Sequence, residues 1–225
     1  MKKKILTALT LTVCAALLVA GSIFGTVAYL TSQVGVTNVF TFGRVAIDMT
    51  ESLVDANGKA ITGTNAARVR TNNYKMVPGK TYDKDPVIEI LQNSENLYLF
   101  VKVDNQLTTY ETKDSGKTIA DQLAKNGWVA LDANHPGVYV YVVNKATAAT
   151  TAEYNYIVTY NPSGTNKIPV FEKFTAATDF GNSTSTIKDM SIVITAYAVQ
   201  ADGFNTPVEA FVGAGFGTSS TTTNP

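Results

Sequence analysis

Short runs of alternating apolar and polar residues cover most of the chain after residue 43. β-Branched and aromatic residues fill these runs, and Gly, Pro, Asn or Asp bound them, which is typical of short strands joined by turns. The pattern predicts an all-β fold, a sandwich or a barrel. The predicted strands are Arg44–Met49, Pro86–Leu91, Leu97–Asp104, Gly127–Leu131, Gly137–Val143, Tyr154–Tyr160, Pro169–Phe174 and Met190–Gln200.

One predicted strand shows the alternation clearly. The odd-numbered residues from Leu97 to Val103 are all apolar and share one face, so we expect that face to lie in the core. Helical signal is limited to two short segments. Thr118 caps a predicted helix over Ile119–Lys125, and a further turn is predicted over Pro207–Val212.

The residues just before this region carry an apolar face of their own. After Gly43 the apolar residues occupy odd positions, but before it they occupy even ones: Leu30, Val34, Val36, Phe40 and Phe42. The change of phase predicts two strand segments joined by a bend or bulge at Gly43. The first of them, within residues 29–42, needs a partner against which to bury its apolar face.

The first 28 residues have the order of a secretory signal peptide. Three lysines follow Met1, residues 5–24 carry no charge and are mostly apolar, and small residues come next. Thr26 and Ala28 fill the −3 and −1 positions, so cleavage is predicted between Ala28 and Tyr29. The alternative is an uncleaved membrane anchor, because the apolar run approaches the roughly 20 residues that span a bilayer.

Composition narrows the remaining possibilities. Cys14 is the only cysteine and lies within the apolar part of the signal, without the small residue before it that lipidation needs, so the mature chain has neither disulfides nor cysteine-ligated zinc. Cleavage removes three of the 18 basic residues and none of the 18 acidic ones, leaving no basic footprint for nucleic acid. The predicted organisation is a signal peptide (1–28), a β-sandwich domain (29–216) and a disordered tail (217–225).

Three groups of residues are candidates for a catalytic, metal-binding or sugar-binding site. His135, the only histidine, lies in a predicted tight turn without a partner for zinc ligation or a catalytic triad. Because we expect this turn to be exposed and away from caps and core, His135→Ala should leave folding and assembly intact and shift stability by no more than about 0.5 kcal/mol. Asp83, Asp85 and Glu89 are the best candidates for a hard-cation site, although a loop pair supplies few of the ligands that Ca²⁺ requires. A row of tyrosines with Trp128 could stack against sugars, but strand-spaced aromatics more often pair across strands.

Three stretches together resemble the TasA and camelysin family of secreted bacterial proteins. The first is Gly25–Thr31 followed by Asn38–Asp48, the second is Val77–Pro86 followed by Asn93–Val103, and the third is Ile192–Ala201 followed by Gly203-Phe204 and Glu209–Phe211. The resemblance implies a signal peptide processed by a SipW-type signal peptidase and a jelly-roll-like antiparallel β-sandwich. It also implies a role as a biofilm-matrix or surface-fibre subunit, and it supplies no catalytic residues.

We therefore predict a secreted structural subunit of the extracellular matrix or cell surface, with no cofactor and no bound metal. Its expected partners are further copies of itself, the signal peptidase and other matrix proteins, and neither nucleic acid nor, after cleavage, the membrane. Leu30, Val34 and Val36 are expected to form the inward face of a donor strand that completes the sheet of a neighbour. The alternatives are a camelysin-like metallo-endopeptidase, although the zincin pattern of two histidines is missing, and a carbohydrate-binding module.

Overall fold

The computed structural model describes residues 44–180 and 190–217, together with Lys3, Thr10, residues 12–14, Ala16 and Leu17. The chain divides into two units, residues 1–42 and 43–225, and the fold below is that of the second. The predicted cleavage residues Thr26, Ala28 and Tyr29, the predicted donor residues Leu30, Val34 and Val36, and the tail from residue 218 lie outside the described residues. Among the described residues, no helix is both long and apolar enough to cross a bilayer.

Eleven short strands form the body of the described region, and every pair is antiparallel. This confirms the predicted all-β fold. The strands are β1 (Ile47–Ser52), β2 (Arg68–Val69), β3 (Thr81–Asp83), β4 (Val87–Ile90), β5 (Leu97–Asn105), β6 (Trp128–Ala130), β7 (Val138–Tyr141), β8 (Ile157–Val158), β9 (Lys167–Pro169), β10 (Lys173–Thr175) and β11 (Ile192–Gln200).

The strands form two main sheets and a small third one. The first sheet has the order β2-β1-β4-β9, and the second has the order β11-β5-β7-β6, with β8 paired to the start of β5. Strands β3 and β10 form a separate two-stranded sheet. The core lies between the sheets, where Ile88 and Ile90 of β4 join the inward residues of β5 and the side chains of Tyr82 and Phe174.

The central strand β5 is buried on both faces. Its odd-numbered residues face the main core as predicted, but Tyr98 and Phe100 are also buried, in a second cluster on the outer face of the same sheet. A short helix, α2 (Pro207–Gly213), covers that face with Ala210 and Phe211. The predicted core face is present, and the burial of the opposite face was not predicted, because alternation alone does not reveal a helix packed against the outer surface.

The predicted helix α1 is present over Ile119–Lys125. The Thr118 side chain caps it by accepting a hydrogen bond from the Asp121 backbone N–H at 3.0 Å. Ile119 and Leu123, four residues apart, are buried in the main core, as the sequence spacing indicated.

Three predicted strands differ most from those observed. Arg44–Met49 was predicted, but β1 lies three residues later, over Ile47–Ser52. Pro169–Phe174 was predicted as one strand, but β9 ends at Pro169 and β10 begins only at Lys173. The apolar residues between them, Val170 and Phe171, are fully buried without belonging to a strand. Of Tyr154–Tyr160, only Ile157 and Val158 pair with a neighbour.

Candidate functional site

An open groove runs along one side of the sandwich, between β1 of the first sheet and β11 of the second. Where the end of β1 faces the start of β11, it widens into a half-open cavity of about 810 Å³ that both apolar and polar side chains line. Its lining includes Met49 from β1, Tyr74 and Met76 from the segment after β2, and Met190, Ile192 and Ile194 at the start of β11. Cavities of this size bind ligands or peptide segments, so this groove is the leading candidate for a binding site.

The groove is open because the inward residues of its two flanking strands are only half-buried. These residues pack against the main core but are not enclosed by it. They are Val45 just before β1, Ile47 and Met49 on β1, and Ile192, Ile194, Ala196 and Ala198 on β11. On the neighbouring strand β5, by contrast, Leu97, Leu99 and Val101 are each 0% exposed. The apolar face along the groove therefore lacks a cover among the described residues.

The main chain of β11 also has no partner along the groove among the described strands. Ser191 accepts a hydrogen bond from Gln106 N–H, and Ala201 N–H donates one to Asn96, so the odd-numbered residues direct their backbone groups toward β5. In an antiparallel pair the residues between them point the other way. The backbone N–H and C=O groups of residues 192, 194, 196, 198 and 200 thus face outward, and no described strand pairs with them.

The edge of β1 that faces the groove is occupied differently. Ala46 accepts a hydrogen bond from Leu91 N–H, which turns the backbone groups of Ile47 and Met49 away from β4. The Asp48 carboxylate accepts the Met49 N–H at 2.9 Å and pairs with the Arg70 guanidinium at 2.6 Å. Farther along, β2 pairs with the end of β1.

A polar cluster lies at one end of the groove. Glu51 is only 6% exposed, and its carboxylate accepts hydrogen bonds from the Lys84 ammonium at 2.8 Å and from the Asn72 amide at 3.0 Å. Burial, with the nearby charge of Glu51 as a smaller contribution, raises the pKa of Tyr74. Because a buried carboxylate is costly without partners, this cluster fixes the positions of β1, β3 and the segment after β2 at that end.

The acidic residues considered for a cation site are engaged with protein donors. Asp83 accepts hydrogen bonds from the Ala60 backbone and the Lys59 side chain, and Asp85 accepts them from the Ser52 N–H and O–H at 2.6 and 2.8 Å. Glu89 lies 3.9 Å from the Lys167 ammonium. Within the described ranges, no three His, Cys, Asp or Glu side chains are grouped as a metal site would need.

His135 lies in the predicted turn, but its side chain is largely buried, whereas an exposed turn was expected. Its side chain is 14% exposed, its Nδ1 lies 2.7 Å from the Asp132 carboxylate, and its ring packs edge-on against Phe211 with centroids 5.4 Å apart. The expectation that His135→Ala would be nearly neutral rested on an exposed turn and therefore needs correction.

The aromatic residues considered for sugar stacking mostly belong to the core. Trp128 is 1% exposed, and Tyr139, Tyr141 and Tyr160 pack against the main core cluster. Tyr154 and Tyr156 contact each other edge-on, with ring centroids 6.1 Å apart. These residues therefore do not form one exposed aromatic row.

Comparison with known proteins adds no relative to this description. No family model, no curated protein and no solved structure matches the chain. The groove therefore has to be interpreted from its own geometry.

Proposed function

We propose that this protein is a secreted structural subunit that polymerises into extracellular fibres by strand exchange. In each contact, the N-terminal segment Tyr29–Thr37 of one molecule occupies the groove between β1 and β11 of the next. The observation that carries the proposal is the open groove, with its half-buried apolar residues, beside a strand edge that no described strand pairs with. Main-chain hydrogen bonds to such an edge supply affinity, and alternate side chains supply specificity.

The segment suits the groove in length and in pattern. It has nine residues, as β11 has, and Leu30, Val34 and Val36 would all face the core. Gly35 lies between two of them and would allow close approach of a neighbouring backbone. Filling the groove would bury apolar surface on both partners, at about 25 cal/mol for each Å² removed from water.

A contact of this kind propagates. The donating segment and the accepting groove are different surfaces, so the interface is head-to-tail, and a head-to-tail contact that does not close generates a filament. The signal peptide and the resemblance to matrix proteins agree with a fibre assembled outside the cell. The secreted form should begin at Tyr29 on N-terminal sequencing, which would leave the whole donor segment intact.

The decisive experiment places charge on one face of the donor segment. Val34→Asp with Val36→Asp should abolish the fibres seen by negative-stain electron microscopy, because a carboxylate facing an apolar groove is strongly disfavoured. The matched control, Thr31→Asp with Gln33→Asp, adds the same charge to the opposite face and should leave fibres intact. Circular dichroism and a denaturant titration should show both variants folded with wild-type stability.

Three outcomes would contradict the proposal. Fibres of normal length from the Val34→Asp, Val36→Asp protein would show that the apolar face of the segment is not needed. Unfolding of that variant as a monomer would show instead that the segment completes its own sandwich. Chelator-sensitive degradation of casein by purified monomers would favour the endopeptidase alternative.

A further inference from the structure

The two ends of the groove differ in what lies beside them. At one end, Arg44 accepts a hydrogen bond from Glu95 N–H and Asn96 accepts one from Ala201 N–H, so the start of the described body meets the end of β11 there. At the other end lie Glu51 and the start of β11 at Ile192. We call these the Arg44 end and the Glu51 end. β1 and β11 therefore run in opposite directions along the groove.

This arrangement limits how a chain can place its own N-terminal segment along β11. The chain before Arg44 starts at the Arg44 end, and β11 is about 27 Å long, from nine residues at about 3.4 Å per step. From Thr37 to Arg44 there are seven steps, which reach about 25 Å when fully extended. A segment whose Thr37 lay at the Glu51 end could not be joined to Arg44 of the same molecule, since the gap between facing sheets adds about 10 Å sideways. A segment that runs antiparallel to β11 must therefore come from another molecule.

The same geometry separates an open fibre from a closed pair. If the segment of a neighbour ran parallel to β11, its Thr37 would lie at the Arg44 end, where the acceptor's own segment also starts. Two molecules meeting at that end could exchange segments mutually, which closes the assembly as a dimer. Only a segment that comes in from the Glu51 end leaves the Arg44 end free to donate to a third molecule.

The two strand edges along the groove are not equally available. On β1, the Met49 N–H is already bonded to Asp48, and the Arg70 guanidinium holds that carboxylate across the edge. Charged side chains on an edge strand are a common means of blocking further strand pairing. On β11, five residues present backbone groups that no described residue of a neighbouring strand pairs with. An added strand is thus directed to β11.

We propose that the donor segment of a second copy pairs with β11 in the antiparallel sense, enters from the Glu51 end and has its N-terminus near Gln200. This inference rests on the proposed strand exchange and specifies its edge and its direction. Inward-facing residues pair with inward-facing residues, which allows registers that differ by two residues. Of these we propose the one with Leu30 opposite Ala198, Val34 opposite Ile194 and Val36 opposite Ile192, which keeps the segment along β11. The large Leu30 then lies against the smallest inward residues of β11.

Disulfide trapping distinguishes the two directions. Because the sequence has no cysteine after Cys14, only the introduced cysteines of the mature protein can form disulfides. Paired residues in neighbouring strands lie about 5.5 Å apart at Cα, within the range that a disulfide spans. The test proteins are Leu30→Cys with Ala198→Cys and Val36→Cys with Ile192→Cys. The matched controls exchange the partners, Leu30→Cys with Ile192→Cys and Val36→Cys with Ala198→Cys, which the antiparallel arrangement separates by about 20 Å.

After mild oxidation of fibres, both test proteins should give a ladder of covalent oligomers on non-reducing gels, and the controls should not. A ladder from the controls would assign the parallel direction and overturn the inference, as would an internal disulfide in a monomer. Fibres in which none of the four proteins crosslinks would show that the segment does not pair with β11 in this register and would also overturn the inference. In each case microscopy of the wild-type protein decides the strand-exchange fibre separately, since a wild type without fibres would refute the proposed function itself.

Discussion

The two long sides of the sandwich are built in opposite ways. On one side, where β9 faces β6, Trp128 Nε1–H donates to the Pro169 carbonyl at 2.9 Å and the Asn126 amide donates to the Val170 carbonyl at 3.2 Å. Helix α1 places Ile119 and Leu123 in the core beside these bonds. On the other side, β1 and β11 flank a groove with half-buried apolar residues and with β11 backbone groups that no described strand pairs with.

The difference shows that this pair of sheets does not have to leave a side open. The same pair of sheets closes one side with a tryptophan, a helix and hydrogen bonds between sheets, so the chain has the means to close an edge. Native proteins seldom leave long apolar edges uncovered, because such edges pair with other chains. We therefore expect the open side to bind a partner chain and the closed side to supply most of the stability.

The largest effect is expected on the closed side, from Trp128→Ala. Truncation of a fully buried aromatic residue removes core packing and leaves the Pro169 carbonyl without its donor, so we expect a loss of about 3–5 kcal/mol in the free energy of unfolding. Trp128→Phe keeps most of the apolar volume and should lose less, about 1–3 kcal/mol. Urea titrations measure both. A loss below about 1 kcal/mol for Trp128→Ala would mean that the two sheets are held together elsewhere.

The buried ion pair at the Glu51 end should give the next largest effect. Lys84→Ala leaves the Glu51 carboxylate buried with only the Asn72 amide, and breaking such a pair typically costs about 3 kcal/mol or more. The double variant, Glu51→Ala with Lys84→Ala, should recover part of that loss because no uncompensated charge remains. A double-mutant cycle from urea titrations measures the coupling, and additive losses would show that the two groups act independently.

Much of the fold follows from the sequence, but the open side does not. The alternation of β5 and β11 and the cap at Thr118 are local features, so they were predictable. The strand prediction wrongly included Val170 and Phe171, because a buried connection between two strands is as apolar in sequence as a strand. The inward face of β1 was also visible in the sequence, yet a pattern of alternation shows which residues face inward and not whether another strand covers them. That depends on pairing between residues far apart in the chain.

Met49→Ala tests the open side directly. Met49 is only half-buried, so its truncation should lower the stability of the monomer by about 1–2 kcal/mol, less than the 2–5 kcal/mol typical of an enclosed residue. Ile88→Ala, on the adjacent strand at 0% exposure, is the control and should show the enclosed value. Fibres, in contrast, should be weakened more by Met49→Ala. Equal losses of monomer stability for the two variants would show that Met49 is already enclosed.

His135→Ala should have a smaller effect than these but more than an exposed turn would show. The variant removes the hydrogen bond to Asp132 and the ring contact with Phe211, on the outer face of the second sheet, so we expect a loss of about 1–2 kcal/mol. His135→Gln keeps a polar side chain in the turn and serves as the comparison. A change within about 0.5 kcal/mol for His135→Ala would restore the sequence-based expectation.

The smallest predicted effect concerns Glu111, which connects the two sides. Its carboxylate accepts hydrogen bonds from the Ile119 N–H at the start of α1 and from the Asn105 amide at the end of β5, beside β11. Burial raises its pKa above the ordinary value of 4.5, and the hydrogen bond from Ile119 opposes that rise only in part. The folded state therefore holds this proton more tightly than the unfolded chain does.

A raised acid pKa fixes the sign of the pH dependence. Between the unfolded and folded pKa values of Glu111, the folded state binds more protons than the unfolded chain, so the free energy of unfolding falls as pH rises through that window. Below the window the carboxyl is protonated in both states, and the destabilisation is gone. Other carboxylates, such as Asp114 and Asp132, have lowered pKa values and act in the opposite direction. The comparison must therefore be made with Glu111→Gln, which carries no titrating group at this position. Relative to that variant, the wild-type protein should gain stability in urea titrations as pH is lowered from 7 toward 4.5. A difference between the two proteins that stays constant with pH, or that changes in the opposite direction, would show that the hydrogen bonds from Ile119 and Asn105 outweigh the burial of the charge.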